Sequence, residues 1–157
     1  MNKLALIMLL LFPLQLSTVT ALDSINTKLF NLGFQPKKEV DCLAHNIYHE
    51  ARGESIKGQI AVAAVTINRL LSQGYPTSIC QVVYQPNQFS WVKLLKNHSP
   101  KDRKRYELAH AIASNYVQGK LKDPTNGSIF YHAHYVLPKW ASKVTKTVTI
   151  GNHVFYA

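Results

Sequence analysis

The stretch QIAVAAVTINRLL, residues 59–71, is apolar nearly all the way round a helical wheel. A helix of that composition has no face that suits water, so it must be covered on most sides. Any fold of this chain therefore wraps its other elements around this one. Ser55 stands where an N-cap is needed, and Gly74 and Pro76 stop the pattern, which predicts a helix over roughly 56–72.

The flanking segments supply the wrapping. Val40, Leu43, Ala44, Ile47 and Ala51 recur at helical spacing, so residues 39–52 read as an amphipathic helix ending at Gly53. Thr77 starts a short helical turn, SICQVVYQ, that carries Cys80, and QPNQFSWVKLL reads as a loop. Ser99-Pro100 opens another helix, with Asp102 in its first turn, running to about Gln118. Leu108, Ala109, Ile112, Ala113 and Tyr116 form its inner side, and Gly119 closes it. KDPTNG is a turn cluster, after which the period changes from helix to strand. SIFYH reads as a strand, and VTKTVTI, Gly151-Asn152 and HVFYA as a hairpin. The expected class is α+β, a helical core with a small antiparallel sheet near the C-terminus.

The first residues do not belong to that domain. Met1-Asn2-Lys3 precedes an apolar run from Leu4 to Leu16, and Val19-Thr20-Ala21 matches a cleavage site after Ala21. This is the pattern of a secretory signal peptide over 1–21. Residues 22–38 are then a polar lead-in and 39–157 the domain. The run is short for a bilayer-spanning helix, so no stable membrane anchor is expected after cleavage. An exported protein, in periplasm, cell wall or outside the cell, allows Cys42 and Cys80 to form a disulfide.

A net charge of +10 favours polyanionic partners. No zinc-finger spacing, RNA-binding aromatic pattern or helix-turn-helix accompanies it, so nucleic acid is not the expected partner. Cell-wall polymers and anionic lipid suit the charge as well as DNA does.

The segment NIYHEARGE concentrates chemistry. With Val40 at zero and about 100° per residue, Ile47 and Ala51 lie within about 20°, Leu43 near 300° and Glu50 near 280°. Glu50 is thus on the shoulder of the apolar stripe, where lost hydration raises a carboxyl pKa and suits a general acid. A salt-bridged helix end is the alternative. His45 and His49 fall on the opposite side, and the HEARGE order is not the metalloprotease pattern, so no metal site is expected. Arg52 is a partner for a carboxylate or a substrate group. Glu54, past the helix end, is open between a second active carboxylate, a cap and a partner of Arg52.

CLAHNIYHEARGE, GQIAVAAVTINR, YPTSICQVVYQPNQFSW, DPTNGSIFYHA and IGNHVFY, in that order, resemble the SleB-type cell wall hydrolase family over about Asp41 to Tyr156. The resemblance implies a domain similar to lysozyme-like and resuscitation-factor-like folds. It implies cleavage of peptidoglycan between N-acetylmuramic acid and N-acetylglucosamine, with lytic transglycosylation as the activity of the characterised spore enzymes. It assigns the catalytic role to Glu50, the first glutamate of the YHEARGE block. The short lead-in leaves no room for a wall-binding repeat before the domain, and spore-cortex specificity does not carry over. No cofactor is expected, with a divalent cation such as calcium left open.

Around Glu50 the expected supporting residues are Glu54, Arg52, Asp123, Thr125 and His132. Gln88, Phe89, Trp91 and Asn126 offer aromatic faces and amides for sugar rings, with Tyr131 and Trp140 as an opposite wall. A core position for Phe89 is an equal reading. A hydrolytic muramidase using a second carboxylate such as Glu54 is the first alternative. A noncatalytic wall-binding module that needs no Glu50, a metal-dependent amidase or peptidase, and a basic lipid-binding protein are the others.

Overall fold

The computed structural model describes residues 36–94 and 97–157. The signal peptide expected over 1–21, and the lead-in up to residue 35, lie outside the described residues. Among the described residues, five helices, α1 (Pro36–Ala51), α2 (Ile56–Leu71), α3 (Ile79–Val83), α4 (Ser90–Leu94) and α5 (Arg103–Val117), precede three strands and a 3-10 turn. The strands are β1 (Phe130–Ala133), β2 (Lys146–Ile150) and β3 (His153–Tyr156), with the 3-10 helix Lys139–Lys143 before β2.

α2 is central, as its composition requires. Its residues Val62, Ala63, Ala64, Val65 and Thr66 are all buried. Ala63 packs into a helical core with Leu43, Ala44, Ile47 and Tyr48 of α1 and Ala109, Ile112 and Ala113 of α5. Ala61 and Val65, on another side of the same helix, pack with Ile150 and Phe155 of the sheet. The small alanines let neighbouring elements approach closely. Ser55 caps the helix by accepting from the Gly58 N–H.

α1 begins at Pro36, three residues before the expected start. A proline costs little in the first turn, where its missing N–H has no partner to lose. The buried Glu39 uses its carboxylate to accept from the Cys80 N–H at 3.0 Å, joining α1 to the start of α3. The Cys42–Cys80 disulfide ties the same two helices. The starts of two helices differ from expectation. α3 begins at Ile79, capped by Ser78, two residues past the expected start at Thr77, and Asp102 caps α5 from outside the helix instead of lying in its first turn. Leu108 is 39% exposed and does not join the inner side of α5. Part of the segment read as a loop forms α4, because Trp91 packs inward and pulls one turn into helical shape.

Polar atoms inside the helical core form one chain. Trp91 Nε1 donates to Asn46 Oδ1, Asn46 Nδ2 donates to Thr66 Oγ1, and the Thr66 hydroxyl donates to Val62 O, each at 3.1 Å. Asn46 thus links α1, α2 and α4 where water cannot substitute. Asn46→Ala is expected to lower unfolding free energy by about 2–3 kcal/mol, chiefly by leaving the Trp91 N–H unpaired. A denaturant titration with a change under about 0.5 kcal/mol would contradict this role.

The three strands are antiparallel in the order β1-β3-β2. The predicted hairpin is β2 and β3, turning at Gly151-Asn152. Its register shifts between Lys146 and Val148. Within that shift, Thr147 places its hydroxyl 2.6 Å from that of Ser128. Side chains alternate across the sheet, so Tyr131 and Phe155 face α2 while Phe130, His132 and Tyr156 face away. This alternation decides which aromatic residues can meet Glu50.

Candidate active site

Glu50 sits in the last turn of α1, partly covered by its neighbours. Tyr131, from β1, donates its hydroxyl to Glu50 Oε2 at 3.0 Å. The Tyr131 ring keeps some surface in solvent while its hydroxyl is enclosed. Phe155 and His153 hold that ring, with centroids at 5.6 and 5.1 Å.

Burial pushes the Glu50 carboxyl above its ordinary range, and this outweighs the opposing pull of the Tyr131 hydrogen bond and the nearby Arg69 charge. Burial likewise drives the Tyr131 phenol well up, with the Glu50 charge adding to it, so Tyr131 stays protonated and acts as a donor. Oε2 is thereby occupied, and Oε1 has no partner among the described residues. A carboxyl group in this state keeps its proton to higher pH than a solvated one and can give it, from Oε1, to an oxygen placed against it.

The other carboxylates near the site are spent on structure. Glu54 accepts from the Asn152 backbone N–H at 3.1 Å and from Asn152 Nδ2 at 2.9 Å, fastening the hairpin turn to the end of α1. A Cβ at Gly151 would collide with Glu54 Oε2, and the φ of +55° there also calls for glycine. Asp123 accepts from the Thr125 N–H and hydroxyl, from the Gly127 N–H and from Asn68 Nδ2. Burial alone would raise its pKa, but these bonds together hold it below the usual carboxylate range. Asp123 is therefore an ionised turn organiser rather than a second acid.

Several expected substrate contacts are placed elsewhere. Trp91 is 6% exposed and Phe89 4%, both in the helical core, so neither offers a face to a sugar. Trp91 stacks on His49 at 4.4 Å, and Phe89 lies against Arg69. Thr125 is 0% exposed, its hydroxyl inside the Asp123 turn, so it can support that turn but not touch a glycan. Tyr131 and Trp140 do not form one wall. Trp140 packs on Phe130, His132 and Tyr156, the sheet face opposite Tyr131. His132 joins that cluster and uses both ring nitrogens, on Ala133 O at 2.9 Å and the Tyr156 hydroxyl at 2.8 Å. Strand alternation separates residues adjacent in sequence, and a list of neighbouring aromatics cannot show it.

Gln88 and Asn126 keep surface in solvent. Gln88 is half-buried beside Phe89, and Asn126 is exposed at a φ of +57° at the tip of the Asp123 turn. Arg52 is exposed and lies over the Tyr48 ring at 5.2 Å, near the Tyr48 and His49 carbonyls. Among the described residues it forms no ion pair with Glu50 or Glu54. His45 and His49 are not free on an outer face, as the wheel alone suggests. His49 is bonded to His98 O and stacked on Trp91, and His45 packs against Tyr106 of α5. Burial lowers the pKa of both.

Arg69 is the site residue that sequence reasoning passed over. It lies at the end of an apolar run, in INRLL, and its helical position alone signals only a cationic last turn. The signal available was a charge on a helix predicted to be buried on most sides, which demands a local partner.

A helical core, a small antiparallel sheet and, among the described residues, one half-buried carboxyl bonded across their junction by Tyr131 define a lysozyme-like α+β domain. The chain belongs to the Cell Wall Hydrolase family, whose model matches residues 53–156, beginning three residues beyond Glu50. It is 29% identical to the spore cortex-lytic enzyme of Bacillus cereus over 122 residues, which is 76% of this chain and 44% of that protein. It is 30% identical to the spore cortex-lytic enzyme of Bacillus subtilis, over 74% of this chain and 37% of that protein. The chain thus spans less than half the length of these curated relatives. The crystal structure of the catalytic domain of the Bacillus cereus SleB protein superposes with a TM-score of 0.64 at 28% identity, covering 77% of this chain and 91% of that one. The catalytic domain of the germination-specific lytic transglycosylase SleB from Bacillus anthracis gives 0.63 at 27%, covering 76% and 93%.

Proposed function

We propose that this protein cleaves the glycan strand of peptidoglycan between N-acetylmuramic acid and N-acetylglucosamine, as a lytic transglycosylase with Glu50 as acid and then base. The observation that carries the reading is the state of the carboxylates. Glu50 is half-buried, raised in pKa and open on one oxygen, while Glu54 and Asp123 have theirs engaged by the protein. Two-carboxylate hydrolysis needs a second free group to act as nucleophile or base. Transglycosylation needs one.

In the first half, Glu50 Oε1 gives its proton to the glycosidic oxygen as the bond from the muramic C1 to that oxygen breaks, releasing the N-acetylglucosamine 4-hydroxyl. In the second, the muramic C6 hydroxyl oxygen bonds to C1, and its proton returns to Glu50. No water is consumed and the product ends in 1,6-anhydromuramic acid. Gln88 and Asn126 are the polar side chains proposed to meet the sugar. Peptidoglycan as substrate is consistent with the +10 charge and with a leader-like N-terminus, and export follows from that substrate. No cofactor is needed for this scheme.

Digestion of purified peptidoglycan, followed by mass analysis of the fragments, tests the reading. Ends lighter by one water than the hydrolysed form are expected, with and without a strong chelator. Reducing muramic ends would replace it with a hydrolytic muramidase using a residue such as Glu54. Released stem peptides lost on chelation would point to a metal-dependent amidase or peptidase. No cleavage at all would leave a wall-binding module.

Tyr131→Phe removes a donor that favours the ionised form of Glu50. The Glu50 pKa should rise further, so the fall of activity on the alkaline side should move to higher pH. Turnover near neutrality should drop about tenfold, the worth of one hydrogen bond to a charged group. An unchanged pH profile in a folded Tyr131→Phe protein would remove Tyr131 from the site.

A further inference from the structure

The acid-base scheme leaves one buried group unused. Arg69 lies on α2 at 5% exposure, and its Nη1 is enclosed without a partner. Its Nε donates to Ile129 O at 2.7 Å, and its guanidinium lies 5.4 Å from the Phe89 ring and 5.8 Å from the Tyr75 ring. Among the described residues no carboxylate closes an ion pair with it. A guanidinium in such a place is unfavourable unless a compensating charge or set of acceptors is near. Ile129 stands two residues before Tyr131, so Arg69 grips the chain at the entry to the strand that presents the phenol to Glu50.

We propose that Arg69 is an electrostatic positioning residue for Glu50. Its fixed positive charge stabilises the carboxylate left when Glu50 gives up its proton, and its bond to Ile129 holds Tyr131 against that carboxylate. The inference rests on the reading of Glu50 as the acid. In a site removed from water, the step that protonates the leaving oxygen leaves a negative charge behind. Tyr131 answers it with a neutral dipole, whereas Arg69 answers it with a full charge that needs no rearrangement. The bonded path from Arg69 to Ile129, and from Tyr131 two residues on to Glu50, joins the two groups, and the charge of each opposes what burial does to the other. The other titratable groups around the pair are Tyr75, from the loop after α2, and His153 of β3, which packs on Tyr131. On Glu50's own helix end, Glu54 is bonded to Asn152 and His49 to His98 O.

The test uses the full chain as wild type, Arg69→Gln, Arg69→Met and Arg69→Lys. Folding is checked by circular dichroism, and the Glu50 carboxyl is titrated by carbon-13 NMR without substrate. Both neutral variants should titrate Glu50 at higher pH than wild type, with glycan cleavage lowered about tenfold or more near neutrality. Arg69→Met fills the space without leaving polar atoms unpaired, so it serves if Arg69→Gln does not fold. Arg69→Lys should titrate Glu50 between wild type and the neutral variants and melt earlier, because the charge is kept while the Ile129 bond that steadies Tyr131 is lost. A folded neutral variant with an unmoved Glu50 titration overturns the proposal. So does an Arg69→Lys protein that shifts as far as the neutral ones, which would assign the effect to the Ile129 bond alone. If the wild type cleaves no glycan, the functional reading fails, yet the titration still decides the coupling of Arg69 to Glu50.

Discussion

Glu50→Gln is expected to abolish glycan cleavage, by about a thousandfold or more, while making the protein more stable at neutral pH. The loss follows from removing the proton that the scheme transfers, since a positioned acid contributes roughly 10²–10⁴ and glutamine has none to give. The gain in stability follows from burial. Burial is the largest influence on Glu50, and it raises the folded-state pKa above the unfolded one. Above the unfolded pKa the native state therefore holds more proton than the unfolded chain, and stability falls as pH rises through that window. Glutamine has no charge to desolvate, so the variant escapes that fall. Its advantage should grow from little in acid to its full size once pH exceeds the folded pKa of Glu50. Melting curves across pH check the sign, and fragment analysis checks the activity. A variant that melts lower than wild type at neutral pH would mean that Glu50 is a structural ion pair. Retained cleavage would remove it as the acid.

The second large effect concerns the bridge. Changing Cys42 and Cys80 together to serine should cost on the order of 3–4 kcal/mol, because the bridge closes a separation of 38 residues and removes that freedom from the unfolded chain. The bridge spans α1 and α3, and the Glu39 bond to the Cys80 N–H remains when it is gone. The fold should therefore survive at low temperature with the same activity but melt markedly earlier. Melting with and without reductant measures this directly. An unchanged midpoint in the double variant would show that packing and the Glu39 bond hold α1 and α3 without the bridge.

Most of the architecture was legible in local pattern. Residues 59–71 demanded a covered helix, and α2 lies between the helical core and the sheet. Ser55, Gly151 and the alternating C-terminal segments marked their elements correctly, because caps and turns depend on the few residues beside them. Glu50 was placed on the edge of the apolar stripe by helical geometry alone, and the desolvation expected there is present. The aromatic residues were less legible. Phe89 and Trp91 look the same in sequence whether they face a sugar or a core. The deciding groups, Arg69 and Asn46, lie 20 and 45 residues away. The α4 turn was missed for the same reason, since Trp91 packing forms it rather than local propensity.

By itself, then, the sequence determined a buried central helix, a cysteine pair, a terminal hairpin and a carboxyl half out of water. These follow from periodicities and neighbours along the chain. The tertiary structure alone decided that Tyr131, 81 residues on, holds Glu50. It alone decided that Glu54 and Asp123 are consumed by turns, that Trp140 faces away, and that Arg69 is buried with its Nε on Ile129 O, two residues before Tyr131. The physical reason is one of range. A helix period says which way a side chain points from its own axis, while the hydrogen bonds and fields that set a carboxyl's chemistry come from whatever the fold brings opposite.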